Sequence, residues 1–289
     1  DIIYAWQLRQ FSQSLYLYLR SLRLPVVLSF GDQWGFYPKG SWPLVAAHRG
    51  HPGTFARLKV GAYSRVADRL SRALYLPVVR NYPKSFPAGQ FNTQEHARYY
   101  ERRGFRFTRS TVIHNGVDTA LFRRQEGRNR SGPIALIYVG RIARDKGVER
   151  LMPMIASIPA RVASLTIVGE GPLLPAIKNE ASRLALEHVR FVPFVPRETL
   201  PALLSQHDVF VMPPRSDDGL TIDSATLEAA ACRLALILAD NPGHREVFGE
   251  SNAAILCPGP EQMIQAVHGL FERPSKLRGL GELARQLVE

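Results

Sequence analysis

IALIYVGRIARDKG, residues 134–147, reads as a buried strand that ends at Gly140 and is followed by two cations, Arg141 and Lys146, ahead of a helix expected to start at Gly147. Its seven apolar or small residues in a row lack the alternation of a half-exposed strand, so both faces must be covered. Strand-length apolar runs then recur at 165–169 (LTIVG), 189–195 (VRFVPFV), 209–213 (VFVMP), 234–240 (LALILAD) and 253–258 (AAILCP), separated by segments of helical period. Alternation of this kind with short connections predicts a parallel, doubly wound α/β sheet, whose ligands bind outside the carboxyl ends of the strands.

The loops at those ends hold the candidate chemistry. Free N–H groups and a positive dipole at a helix amino terminus, joined by the Arg141 guanidinium and the Lys146 ammonium, suit a diphosphate; a solvated basic loop is the alternative. In VGEGP (168–172), Gly169 and Gly171 allow close backbone approach, and Pro172 is expected at the first position of the next helix. In PPRSDDGLTIDSATLEAAAC (213–232), Asp223 or Ser224 is expected to cap a helix bearing Glu228 among small apolar residues. A carboxylate in such surroundings needs partners, either the hydroxyls of a ribose or a neighbouring arginine.

Upstream, the arginine-, asparagine- and glycine-rich stretch RRQEGRNRSG at 123–132 divides the chain. The whole chain carries 37 basic and 25 acidic residues, a net +12; residues 1–131 hold 21 and 7, a net +14, and residues 132–289 hold 16 and 18, a net −2. The first part shows an amphipathic helix at 7–22, a buried strand at 25–30, a basic amphipathic helix around 56–75, a strand near 88–93 and a helix near 94–103. It is expected to be a second, incomplete Rossmann-like domain (1–131) beside the complete one (132–289). Because the chain opens on Asp1 and ends within LGELARQLVE, a helical pattern with no stop signal, both ends are expected to be cropped, the first βα units and a terminal helix being absent.

Composition excludes several classes. Hydrophobic residues at 45% and charged residues at 21% are globular values, and no apolar run approaches the roughly 18–20 residues of a membrane span. Cys232 and Cys257 show no metal-ligand or disulfide spacing and suit a reducing cytoplasm. His48, His51, His114 and His244 form no metal pattern, so capping or surface roles are expected and no metal site is assigned. Trp34 and Trp42, with Phe36 and Tyr37, either pack in the core or line an acceptor pocket. Nucleic-acid binding is not expected, since the basic residues are not interleaved with stacking aromatics.

Taken in order, PVVLSFGDQW, VIHNGVDTALF, VGRIARDKGVERL, LTIVGEGPL, VRFVPFVPRETLPALLSQHDVFVMPP, LEAAAC and NPGHREVF each resemble a signature of the family-4 glycosyltransferases, so the chain resembles a GT-B enzyme over nearly its whole length. The resemblance implies two Rossmann-like domains, one holding a nucleotide-diphospho-sugar and the other, amino-terminal, facing a glycan or lipid-linked acceptor. Arg141 and Lys146 would hold the diphosphate, with Gly140 and Gly169 at the strand ends. Glu228 would hold the ribose, the backbone from Val192 to Val195 would lie by the base, and amides near Gly219 would meet the phosphates. A hexosyl transfer with retention, independent of metals and of any other cofactor, is implied, in cytoplasmic surface-polysaccharide or glycolipid synthesis. Residues 56–75 add a basic, apolar-faced helix suited to peripheral contact with an anionic membrane.

Some positions depart from the family pattern. The acid expected eight places before Glu228 is Leu220; either a two-residue insertion in the loop brings Asp217 or Asp218 to the donor sugar, Asp218 being preferred, or the role is unfilled. Gly31 stands where many members have a histidine, leaving Asp32 either catalytic or merely a cap or ion-pair partner. Pro193 replaces a glycine. Two other readings therefore stay open: a sugar-nucleotide epimerase on the same fold, and a catalytically silent protein that binds nucleotide sugars.

Overall fold

The computed structural model describes residues 2–6, 25–30, 85–125, 132–214 and 219–289, and in it the chain forms two compact units, Asp1–Asn92 with Ala97–Ile113, and Thr93–His96 with His114–Glu289. The helices expected at 7–22 and 56–75, and the residues Asp32 and Asp218, lie outside the described residues.

In the first unit the described strands β1 (Ile3–Trp6), β2 (Val26–Phe30), β3 (Ser85–Phe91) and β4 (Arg106–Val112) form a parallel sheet in the order β1-β2-β3-β4. Helix α1 (Gln94–Arg102) carries the chain from β3 to β4. Phe86 stacks on Phe105 and Phe107 with centroids 5.6 and 5.3 Å apart, and Phe91 meets Phe107 edge-on at 5.0 Å. These aromatic pairs tie β3 to β4, whose other side chains mostly face solvent.

The second unit is a six-stranded, wholly parallel sheet built from β5 (Ile134–Val139), β6 (Ala163–Val168), β7 (Val189–Val192), β8 (Val209–Met212), β9 (Ala235–Ala239) and β10 (Ile255–Cys257). All six strands expected from the sequence are present. Counted from β5, the order β10-β9-β8-β5-β6-β7 is the 3-2-1-4-5-6 arrangement of dinucleotide-binding sheets. The chain winds one way from β5 through β6 to β7 and the other way from β8 to β10. Such an order leaves a crevice outside the carboxyl ends of β5 and β8. Val139 pairs with Val168, and Val168 with Val192, so the ends of β5, β6 and β7 are level and their loops emerge side by side. Ile134, Leu136, Ile137 and Tyr138 of β5 and all of β9 are buried, as a sheet covered on both faces requires.

The division read from the sequence at Gly132 falls inside this second unit. The reason is local: Phe122 is fully buried in the second core, and Arg285, on α8 (Pro274–Val288), donates to the carbonyls of Phe122 (2.7 Å), Thr119 (3.2 Å) and Ala231 (2.7 Å). Residues 114–125 are thereby fastened to the carboxyl-terminal helix.

Candidate functional site

At the end of β5, the Gly140 N–H donates to Val168 O (3.1 Å), and the buried Tyr138 hydroxyl donates to Arg141 O (3.0 Å). The next loop lies directly against this one: Ile142 N–H donates to Glu170 O at 2.8 Å and Leu173 N–H to Ile142 O at 3.0 Å. Gly169 has φ 131°, and a Cβ there would overlap Gly140 O, so the two loops can meet only with glycine at that point. Pro172 is not at the first position of the following helix; α3 runs Leu174–Arg183 and carries Pro175 in its first turn.

The helix expected to begin at Gly147 begins later. Arg144–Lys146 and Val148–Arg150 are 3₁₀ turns separated by Gly147, whose left-handed φ of 68° interrupts the winding, and helix α2 spans Leu151–Ala156. Lys146 therefore sits on a tight turn, with Arg141 in the loop just ahead of it, rather than at an α-helix amino terminus, and their charge, not a helix dipole, dominates the field there. Arg141, with 58% of its side chain exposed, pairs with Asp145. Lys146 donates to Asp223, the residue that opens α5 (Ser224–Ala231), and only 19% and 17% of the two side chains are exposed. Asp223 is the N-cap of α5 in backbone conformation, yet its side chain makes no capping bond to that helix.

Glu228 rides on α5 among Leu227, Ala229, Ala230, Ala231 and Cys232, all buried. Its side chain is 13% exposed and pairs with Arg197, with 3.6 Å between Nε and Oε1. Of the two partners left open by the sequence, the structure thus shows the arginine. Burial pushes the Glu228 carboxyl above its ordinary value, and the Arg197 guanidinium draws it partly back. Glu228 and Arg197 share a cavity of about 440 Å³ with Gly140, Arg141, Gly169 and Val195. The strand ends Val139 and Val168, together with Glu170, Phe194 and Leu200, complete its lining.

Five of the expected site residues, Gly140, Arg141, Gly169, Val195 and Glu228, therefore line one cavity at the switch-point edge of the sheet. Lys146 is not among the lining residues and is joined instead to Asp223 at the start of α5. The Val192 carbonyl accepts from Gly169 N–H (3.0 Å), and β7 stops at Val192 because Pro193 has no N–H to continue the ladder. Gly219 O accepts from Gly243 N–H (2.9 Å). Leu220 is nearly buried, and its carbonyl accepts from the Thr93 hydroxyl at 2.5 Å, so at this position it serves backbone packing. Among charged lining residues, sequence reasoning passed over Glu170 and Arg197. The second could have been found, since the buried carboxylate at Glu228 called for a cation and VPRETL supplies one just beyond a strand end.

Other groups are structural. Burial pushes the Cys232 and Cys257 thiols up to about 12 and about 11, so neither is a nucleophile at neutral pH. His244 is buried within the cap of α6 (Pro242–Phe248), where its N–H donates to the Asn241 side chain at 2.9 Å. His114 is about half exposed, 3.9 Å from Glu246. Among the described residues no cluster of three or more acids, histidines or cysteines could hold a metal ion, and no helix is long and apolar enough to cross a membrane.

Comparison with known proteins gives the family and the fold. The chain is 31% identical over 185 residues to glycogen synthase from Mycobacterium tuberculosis, covering 61% of this chain and 43% of that protein. It is 30% identical over 188 residues, 59% of this chain and 49% of the other, to a GDP-mannose-dependent alpha-(1-6)-phosphatidylinositol monomannoside mannosyltransferase from Mycolicibacterium smegmatis. The chain thus spans about half the length of these relatives. Its fold matches sucrose-phosphate synthase from Thermosynechococcus elongatus with a TM-score of 0.70 at 20% identity, over 99% of this chain and 68% of that one. Anabaena Alr3699/HepE, crystallised with UDP and glucose, matches with a TM-score of 0.69 at 18% identity, over 100% and 73%. Residues 120–287, well over half the chain, match the family described as Glycosyl transferases group 1, and the protein accordingly belongs to that family and has the GT-B fold.

Proposed function

We propose that the protein is a glycosyltransferase that moves a sugar from a nucleotide diphosphate to a glycan or lipid-linked acceptor with retention of configuration, in surface polysaccharide or glycolipid synthesis. The observation that carries this reading is the meeting of Arg141 and Glu228 in one cavity at the switch-point edge of the sheet, a cation for the diphosphate and a carboxylate for the ribose hydroxyls. As the bond from the anomeric carbon to the diphosphate breaks, negative charge gathers on the leaving group. Fixed positive charge placed there lowers the barrier without reorganising at the moment of reaction. Arg141, supported by Lys146, supplies that charge in this proposal, with no divalent metal or other cofactor. The relatives named for glycogen synthesis and for mannosyl transfer, and the fold match crystallised with UDP and glucose, support the donor class.

The test is thermal stabilisation of the full chain by UDP-, GDP- and ADP-sugars, followed by turnover with acceptor glycans. A ligand at 100 times its dissociation constant adds about 2.7 kcal/mol, which raises the melting temperature by roughly 5–10 °C in a domain of this size. No shift with any of the three overturns the proposal. Conversion of the donor sugar without acceptor selects the epimerase instead, and a shift without turnover the silent binder.

The acceptor side is proposed to be the basic first part of the chain, working on the cytoplasmic face of an anionic membrane. Residues 1–113 carry 17 basic and 5 acidic side chains, a net +12. Each cation near an anionic leaflet contributes about 1 kcal/mol. Flotation with phosphatidylglycerol vesicles in preference to phosphatidylcholine is expected, and equal flotation with both removes the membrane from the proposal.

A further inference from the structure

We infer that Arg197 is the positioning residue for Glu228, holding that carboxylate as a fixed acceptor for the two ribose hydroxyls of the donor. The inference rests on the reading of the cavity as a nucleotide-sugar site, and it concerns a residue that neither the motifs nor the family likeness singled out. Its support is geometric. The Arg197 guanidinium sits 3.6 Å from Glu228 on one side and 5.2 Å from the centroid of the buried Phe122 ring on the other. Although 54% of the Arg197 side chain is exposed, contact with a ring face and a carboxylate together restricts the guanidinium more than an ion pair alone would. Both residues of the pair line the cavity, so the carboxylate that it orients also faces the ligand space.

Chemistry explains why such a partner is required. An ionised carboxylate accepts from both hydroxyls with two charged oxygens, whereas protonation turns one oxygen into a donor and leaves the weaker, neutral acceptor. Burial opposes ionisation of Glu228, and Arg197 is the group that favours it. Among the described residues, the other titratable groups around this carboxylate are Arg141 and Glu170, which line the same cavity, and Cys232 one turn along α5, itself near Arg124 and Arg285. The Cys232 thiol, pushed up to about 12, stays neutral through the useful range.

The sign of the pH effect follows. Without Arg197 the Glu228 carboxyl moves further above its ordinary value, so a larger share is protonated in mildly acid solution and nucleotide binding weakens there. Binding recovers as pH rises and Glu228 ionises again. The experiment titrates full-length wild-type, Arg197→Met, Arg197→Lys and Glu228→Gln proteins with UDP, GDP and ADP between pH 5.5 and 8.5, carrying forward whichever nucleotide the wild type binds most tightly. For Arg197→Met the dissociation constant relative to wild type is expected to be about tenfold higher at pH 5.5 and within about twofold at pH 8.5. Arg197→Lys, which keeps the charge, is expected within about threefold throughout. A methionine-to-wild-type ratio independent of pH, or a lysine variant as weak as methionine, overturns the positioning role and leaves the nucleotide site standing. Glu228→Gln binding as well as wild type overturns the ribose assignment and the inference with it, as does failure of all three nucleotides to bind.

Discussion

Arg141 and Gly169 face the same cavity yet are expected to fail in different ways when substituted. The Arg141 side chain is more than half exposed and pairs with Asp145 four residues away, an arrangement that contributes little to folding. Arg141→Ala should therefore leave the melting temperature almost unchanged while turnover falls by about 10²–10³-fold, the usual loss when one preorganised donor to a developing anion is removed. Near wild-type turnover would remove Arg141 from the chemistry. Gly169→Ala has the opposite character. Its φ of 131° and the overlap of any Cβ with Gly140 O force the loops after β5 and β6 apart, at a cost of roughly 2–4 kcal/mol. A drop of about 5–15 °C in the melting temperature is expected, together with weaker nucleotide binding. An alanine variant as stable as wild type would show that these loops can part freely.

Between elements, the pair Lys146–Asp223 is the connection to test, because it joins the 3₁₀ turns after β5 to the start of the helix that carries Glu228. Both side chains are largely buried, so removing one leaves the other poorly solvated. Lys146→Met should cost about 1–3 kcal/mol, and Lys146→Met with Asp223→Asn less than the sum of the single changes, by a coupling of about 1 kcal/mol or more in chemical denaturation. Strict additivity would mean that the contact does no structural service. The elements also show which patterns were readable. The six strands of the second unit were legible because each is a short, largely apolar run, buried on both faces in β5, β8 and β9. β4 was not: RFTRSTV puts most of its side chains in solvent, and only backbone pairing and two phenylalanine contacts mark it as a strand. The helix anticipated at Gly147 was misplaced because a glycine read as a start is a left-handed break between two tighter turns. β7 was read too long for want of weight on Pro193, which ends its ladder at Val192.

For the whole molecule, the boundary at His114 changes how the charge is understood. Placed at Gly132 it left +14 and −2; placed at His114 it gives residues 1–113 the entire +12, and residues 114–289, with 20 basic and 20 acidic side chains, are neutral. The sequence revealed the donor-side residues Arg141 and Glu228, because strand ends and a buried acid are local signals. It called for a cation beside Glu228, which VPRETL offers in Arg197, but the pairing itself depends on how the loop after β7 and helix α5 meet across the sheet. All the lining residues of the cavity belong to the second unit, which also has its own complete sheet and core. Residues 114–289 produced alone should therefore unfold cooperatively and be stabilised by the same nucleotide as the full chain, while transferring no sugar. Some stability will be lost, since the Leu220 carbonyl gives up the Thr93 hydroxyl and Glu246 the amides of Gln94 and Glu95, about 1–3 kcal/mol by ordinary hydrogen-bond costs. The neutral net charge predicts poor solubility near pH 7, so the measurement belongs about two pH units away. If the isolated piece folds but ignores a nucleotide that stabilises the full chain, binding needs groups from residues 1–113, and the cavity formed by Arg141, Arg197 and Glu228 is only part of the site.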